Sequence, residues 1–191
     1  MKKILWFDTE TTGLDPVKND IIQLAGIVEI DGKEVGTFDY KCQPFDYTTI
    51  QQDALDTHGM TLEQIKTFEV PGQIQYNFTK MLAQYCDKFD KTDKFYPGGY
   101  NCKFDIDFLA QWFKKCGDSY LGSWINWRAL DPLPLLYLAD YRGEISLPDY
   151  KLATTTKHYG VDLFSAHDAL SDVRATRTLW HKLTDKKEGS K

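Results

Sequence analysis

The stretch Lys3-Ile4-Leu5-Trp6-Phe7-Asp8-Thr9-Glu10-Thr11-Thr12-Gly13-Leu14 sets how the rest of the chain is read. Residues 3–7 form a short apolar run that ends in polar residues, the pattern of a buried strand. Asp8 and Glu10 follow at once. Two residues apart on extended backbone, they project from the same face. Side by side on a strand that must be buried, two carboxylates repel each other and lose hydration. The arrangement becomes tenable when a divalent cation lies between them. The competing reading is that the strand has ended and both groups are solvated.

Outward from that strand, residues 21–30 and 35–42 flank Asp31-Gly32-Lys33. Asp-Gly between two strand-like runs is a hairpin signal, so the sheet is expected to begin antiparallel. Thr61-Leu62-Glu63-Gln64 after Gly59 reads as a capping box opening a short helix. Ile74, Phe78, Leu82, Tyr85 and Phe89 recur at three- and four-residue steps, which predicts an amphipathic helix over 73–89. A further strand is expected over 95–100, broken by Pro97-Gly98-Gly99, and a helix over 105–116 with Gly117 as its C-cap. Two shorter helices over 133–141 and 149–159 precede a C-terminal helix striped by Ala169, Val173, Thr176, Trp180 and Leu183. Strands first, then helices interleaved with strands, imply an α/β fold: a mixed sheet with helices packed on it. No repeat or linker divides the chain, so a single domain over 1–184 and a polar tail over 185–191 are expected.

The chain has 191 residues, with 23 basic against 28 acidic side chains and a net charge of −5, which argues against coating nucleic acid by bulk electrostatics. Cys42, Cys86, Cys102 and Cys116 form no C-x-x-C pair and no metal-ligand spacing, as expected of reduced thiols. No apolar run approaches the ~20 residues of a membrane span, and no signal-peptide core follows Met1. A cytoplasmic protein with no membrane association is expected.

Three other residues stand out less sharply. Asp105 opens a helix, where capping alone would favour it, and Asp172 lies on the C-terminal helix, where an Asp is ordinarily solvated. His167 precedes Asp172 by five residues, about 140° around a helix axis, so the two cannot share a face within one helix. For them to cooperate, His167 must sit on the entry turn. Ser165-x-x-Asp168 is a capping pattern that would start the helix there. Tyr85, Phe89, Phe108, Trp112, Phe113 and Trp180 fall on helical stripes and read as core, whereas Trp124 and Trp127 escape any stripe.

Order and context make these signals joint. Phe7-Asp8-Thr9-Glu10-Thr11-Thr12-Gly13-Leu14, then Asn101-x-x-Phe104-Asp105, then His167-x-x-x-x-Asp172 resemble the three motifs of DnaQ-like 3′→5′ exonucleases. His167 with four intervening residues resembles the DEDDh branch; the sister branch has a Tyr where this chain has Asp168. His58-Gly59-Met60-Thr61, Leu130-Asp131-Pro132-Leu133 and residues 147–160 also fit the family. Many relatives have His-Asn where this chain has Tyr100-Asn101. The resemblance implies an RNase H-like fold with a central mixed sheet of about five strands flanked by helices.

It also implies a chemistry. Asp8, Glu10, Asp105 and Asp172 would be ligands of two Mg²⁺ or Mn²⁺ ions, hard cations that prefer oxygen. His167 would accept the proton of the attacking water, and nucleoside 5′-monophosphates would leave from the 3′ end of single-stranded DNA or RNA. Thr9, Thr11, Thr12, Leu14 and Asn101 are the substrate-contacting positions implied, with Leu14 wedged against the terminal bases and Glu10 bonded to the 3′-OH. Two cations would offset the charge of four carboxylates, so overall acidity does not argue against cutting nucleic acid. Relatives include monomers and homodimers. Competing readings are a proofreading partner of a polymerase encoded elsewhere, since no polymerase domain fits between Asp8 and Asp172, a non-catalytic nucleic-acid-binding module, and a haloacid-dehalogenase-type phosphatase using Asp8.

Overall fold

The computed structural model describes residues 1–163 and 168–185. Strand β1 (Lys3–Thr11) is longer than its apolar run and continues through Asp8 and Glu10, so both carboxylates lie on the strand rather than beyond it. The continuation is held by β2 (Ile21–Ile30), which pairs antiparallel with β1 from Lys3↔Ile30 to Glu10↔Gln23 and shifts register before Thr11. β2 returns into β3 (Lys33–Lys41) through Asp31-Gly32, whose φ angles of 48° and 82° are both positive. A two-residue hairpin turn needs that left-handed pair, which Asp-Gly supplies at little cost.

β4 (Tyr96–Gly98) lies parallel to β1 on the other side, from Ile4↔Tyr96 to Trp6↔Gly98. A Cβ on Gly98 would sit 2.4 Å from the Trp6 ring, so the indole requires glycine there. The sheet order is β3-β2-β1-β4. Four strands stand where about five were expected. Beside β4 the chain makes only isolated bridges, Phe95↔Ile125 and Gly98↔Leu130. Between them Asn126 Oδ1 takes the Arg128 N–H in a local turn, which keeps the segment from extending into a fifth strand.

Helices α1 (Gln52–His58), α2 (Leu62–Ile65), α3 (Pro71–Leu82), α4 (Cys102–Lys115), α5 (Pro132–Tyr141), α6 (Leu152–His158) and α7 (Ala169–Thr184) complete the described elements. Alternation along β1 sorts the core into two layers. Leu5 and Phe7 pack with Phe78 of α3 and Phe108, Leu109 and Phe113 of α4. Ile4 and Trp6, on the opposite face, pack with Val173 and Trp180 of α7. Each fully buried side chain of this size contributes roughly 1.5–3 kcal/mol.

Four helix boundaries differ from the sequence expectation, one being the start of α6 at Leu152 instead of 149, where Asp149 accepts from the Lys151 N–H in a turn before the helix. α3 stops at Leu82, seven residues early, and Phe89 is 84% exposed instead of entering the core. The acidic segment after it folds onto itself: Asp87 accepts from the Phe89 N–H and Asp90 from the Thr92 N–H, local bonds that compete with helix. α4 begins at Cys102, three residues before Asp105. α7 begins at Ala169 with Asp168 as its N-cap, accepting from the Ser171 N–H at 3.2 Å, so Asp168 rather than Ser165 starts the helix; Ser165 lies outside the described residues. The other expectations hold more closely, including the Thr61–Gln64 capping box. No helix among the described residues is long and apolar enough to cross a membrane.

Candidate active site

β4 ends opposite Trp6, which leaves the edge of β1 beyond that point without a strand partner. Backbone donors at such an edge must find another acceptor. The Thr9 N–H finds Asp105 Oδ1 at 3.0 Å, and the Thr9 hydroxyl donates to the same oxygen at 2.7 Å. Asp105 lies in the first turn of α4, where backbone dipoles favour an anion, and it is buried. The entry to α4 is itself fixed. Asn101 adopts φ 55°, and Asp131 accepts from the Asn101 and Cys102 N–H groups at 3.2 and 3.0 Å. Asp131 also caps α5 through the Leu133 N–H, so the 130–133 segment is a brace between two helix starts.

Asp8 and Glu10 share the parity of Ile4 and Trp6 and so face the α7 side of the sheet. α7 is pinned there by Glu29 of β2. This buried carboxylate accepts from Trp6 Nε1 at 3.2 Å and Arg177 Nε at 2.6 Å, and lies 3.0 Å from His181 Nε2. Burial pushes the Glu29 carboxyl up, but His181 and Arg177 outweigh it and hold it below the usual range. The pinned helix carries Asp172 in its first turn.

The electrostatics show which carboxylates meet. Burial, then Asp105, Glu10 and Asp172, raise the Asp8 carboxyl well above its ordinary value. Glu10 is pushed up to about 8, by burial first and then by Asp172, Asp105 and Asp168. Asp105 rises to about 7 because burial outweighs the lowering bonds from Thr9. Asp8, Glu10, Asp105 and Asp172, predicted from three separate stretches of sequence, are thus close enough to repel one another. Asp168, read from sequence as part of a capping pattern and as standing where the sister branch has a Tyr, adds a further negative charge facing Glu10. Among the described residues no three His, Cys, Asp or Glu side chains already form a cage for an ion. The donor set, carboxylate oxygens whose crowding resists ionisation, nevertheless suits a hard divalent cation. His167 lies outside the described residues.

Beside Glu10 a cavity of about 320 Å³ is lined by Leu14, Gln51, Thr57, His58 and Phe104 among others. Leu14 is 79% exposed at its mouth. Thr9 and Thr11 also reach this lining, although the Thr9 hydroxyl is committed to Asp105 and that of Thr11 to the Gly13 carbonyl at 2.8 Å. Thr12 departs from the sequence expectation of a substrate contact. It is 0% exposed, and its Oγ1 accepts from the Asp20 N–H, so it holds the turn and presents no side-chain surface. Asn101 is exposed at the start of α4. Tyr100, which replaces the His of many relatives, donates its hydroxyl to the Tyr150 carbonyl and so ties β4 toward α6.

Two lining residues, His58 and Phe104, were not singled out as contacts from the sequence. His58 Nδ1 accepts from the Met60 N–H at 3.1 Å, which leaves the proton of the neutral ring on Nε2. That Nε2 has no hydrogen-bond partner in the structure, and burial lowers the ring's affinity for a second proton. The Phe104 ring packs on Phe108 with centroids 4.7 Å apart while remaining part-exposed.

Solved structures with this architecture include Escherichia coli exonuclease I in complex with a dT13 oligonucleotide, with TM-score 0.78 and 23% identity over 96% of this chain and 41% of that one. A moderately thermophilic exonuclease I from Methylocaldum szegediense matches with TM-score 0.73 and 23% identity, over 98% of this chain and 41% of that one. Among curated relatives, the PolC-type DNA polymerase III of Halalkalibacterium halodurans is 28% identical over 95% of this chain, and that of Latilactobacillus sakei subsp. sakei 29% identical over 93%. This chain spans 11% of the length of those two polymerases. The RNase_T exonuclease model matches residues 5–179, a span that runs from β1 into α7 and holds all four clustered carboxylates. The mixed sheet is therefore RNase H-like, the phosphatase reading is set aside, and the chain belongs to the RNase_T exonuclease family, among the DnaQ-like enzymes its motifs resemble.

Proposed function

We propose that this chain is a metal-dependent 3′→5′ exonuclease domain that hydrolyses the terminal phosphodiester of single-stranded nucleic acid and releases nucleoside 5′-monophosphates. The observation that carries this reading is the mutual repulsion of Asp8, Glu10, Asp105 and Asp172, brought together from β1, α4 and α7. These four residues would hold two Mg²⁺ or Mn²⁺ ions, which when bound activate water and offset charge on the transferred phosphate. Thr9 fixes one oxygen of Asp105, so that carboxylate is oriented before any ion arrives. His167, assigned by resemblance, takes the proton of the attacking water. Leu14 and Phe104 offer apolar surface to the terminal base, and His58 Nε2–H offers a donor within the same cavity. Glu10 borders that cavity, which supports its accepting a hydrogen bond from a terminal 3′-OH.

Polarity is tested with one oligonucleotide labelled at either end. A 5′ label is expected to give a ladder of shortening strands, and a 3′ label to give labelled mononucleotide from the first turnover. The reverse pattern, or internal cuts, would reject the assignment. The PolC-type relatives, matched over nearly this whole chain, favour a second reading in which the domain proofreads for a polymerase. Faster removal of a mispaired than of a paired 3′ end would support it.

A further inference from the structure

Trp127, which no helical stripe explains, stands 64% exposed in a cleft of about 430 Å³ beside the start of β4. Lys91, Lys94 and Arg128 also line this cleft, with Tyr96, and no Asp or Glu does. In a chain of net charge −5 this is a local reversal of sign. The acids nearest in sequence are engaged elsewhere: Asp90 accepts from the Thr92 N–H and hydroxyl, and Asp93 pairs with Lys3. Among the described residues Lys91, Lys94 and Arg128 form no ion pair, and Lys94 donates to the Gly122 carbonyl.

The indole is held in place. A Cβ on Gly122 would lie 3.7 Å from Trp127 Cζ2, so the ring rests against that glycine. The surrounding segment is tied to β4 on both sides of Trp127, by Asn126 N–H to the Phe95 carbonyl at 2.9 Å and Leu130 N–H to the Pro97 carbonyl at 2.8 Å. Tyr96 pairs with Ile4 and packs in the layer of Ile4 and Trp6, the face that carries Asp8 and Glu10 further along β1.

We propose that the Trp127 cleft binds the single-stranded substrate on the 5′ side of the scissile bond, one base stacking on the indole and the flanking phosphates meeting Lys91, Lys94 and Arg128. Exposed aromatic rings interleaved with cations are what sequence-independent single-strand binding requires. The assignment rests on the exonuclease reading for its polarity, but the cleft can be tested apart from cleavage.

The test compares wild type with Trp127→Ala on a 5′-fluorescein-labelled oligothymidylate of about 15 nucleotides and on a thymidine dinucleotide. Binding is followed by anisotropy in Ca²⁺ and cleavage in Mg²⁺. The variant is expected to weaken binding of the long strand and raise its KM by about 5- to 160-fold, the range of one lost base stack. Its kcat, its dinucleotide cleavage and its thermal midpoint are expected to stay unchanged. Removing Lys91 and Arg128 as alanines should flatten the salt dependence of long-strand affinity by about 0.7 in log–log slope per lost phosphate contact. Unchanged affinity for the long strand, or an equal loss on both substrates, would overturn the proposal. Trp127-dependent binding without cleavage by wild type would sink the exonuclease reading and leave the cleft standing. Cleavage with a silent Trp127→Ala would do the opposite.

Discussion

Thr9 places two hydrogen bonds on one oxygen of Asp105, from its N–H at 3.0 Å and its hydroxyl at 2.7 Å. The pair joins the free edge of β1 to the first turn of α4, so strand and helix cannot shift independently without exposing a buried carboxylate. The bonds also lower the Asp105 carboxyl against the burial that raises it. Thr9→Val removes the hydroxyl bond and keeps the shape. A hydrogen bond to a charged group contributes about 1.5–3 kcal/mol, so Asp105 should protonate more readily and Mn²⁺ affinity at pH 7 should fall about 10-fold or more. Calorimetric Mn²⁺ titration at pH 7 and pH 9 checks this. The deficit should shrink at the higher pH, where Asp105 is ionised in both proteins.

The clustered carboxylates make the metal-free fold lose stability as pH rises from mild acid to about 8. Glu10 is raised from 4.5 to about 8 in the folded state, so between these values the folded chain holds a proton that the unfolded chain has released. Stability then falls as pH rises through that window. Asp105 adds to the trend between 3.8 and about 7. Glu10→Gln should therefore raise the thermal midpoint of the metal-free protein at pH 8 and leave it almost unchanged at pH 4, by about 2–4 °C for each kcal/mol relieved. Scanning calorimetry in EDTA would count against this if the variant were destabilised equally at both pH values.

The cavity residues should separate binding from folding. Leu14 is mostly exposed, so Leu14→Ala should leave the thermal midpoint within about 1 °C, surface changes being small. Its KM for a single strand should rise several-fold. His58→Ala should also raise KM, by about 5-fold or more for a lost hydrogen bond in a closed site. Steady-state kinetics with an oligonucleotide substrate measure both effects; a changed stability with unchanged KM would place these residues outside the substrate path.

Glu29 offers a test of how α7 is fixed. Its side chain is 2% exposed, and Arg177 Nε approaches it at 2.6 Å. Arg177→Met leaves the buried carboxylate with weaker compensation and should cost about 2–4 kcal/mol. Because the folded Glu29 carboxyl sits below its ordinary value, its contribution is present above the unfolded pKa and is lost as pH falls through the folded one. The penalty of Arg177→Met, read by urea unfolding, should therefore be large at pH 7 and shrink in acid.

Much of the architecture was legible because β1, the Asp31-Gly32 hairpin and the stripe of α7 rest on local periodicity and turn chemistry. The four clustered carboxylates were legible only jointly. Asp105 alone reads as a cap and Asp172 alone as a solvated helix residue, and it is long-range pairing that brings them to Glu10. Four features were missed for identifiable reasons. The end of α3 is set by Asp87 and Asp90 bonding their own backbone, which an apolar count ignores. Thr12 is sealed by Asp20, and His58 gains its place in the cavity from α1; neither contact is local in a motif. The fifth strand is absent among the described residues because Asn126 turns the chain beside β4.

The most direct test of the central claim is a cleavage assay on a 5′-labelled single strand in Mg²⁺ or Mn²⁺, with wild type and Asp8→Ala side by side. Wild type should give a progressive ladder that EDTA abolishes, and Asp8→Ala should leave the strand intact although the protein remains folded. No ladder from wild type with either metal, or an unchanged ladder from Asp8→Ala, would contradict the assignment of these carboxylates to metal-dependent hydrolysis.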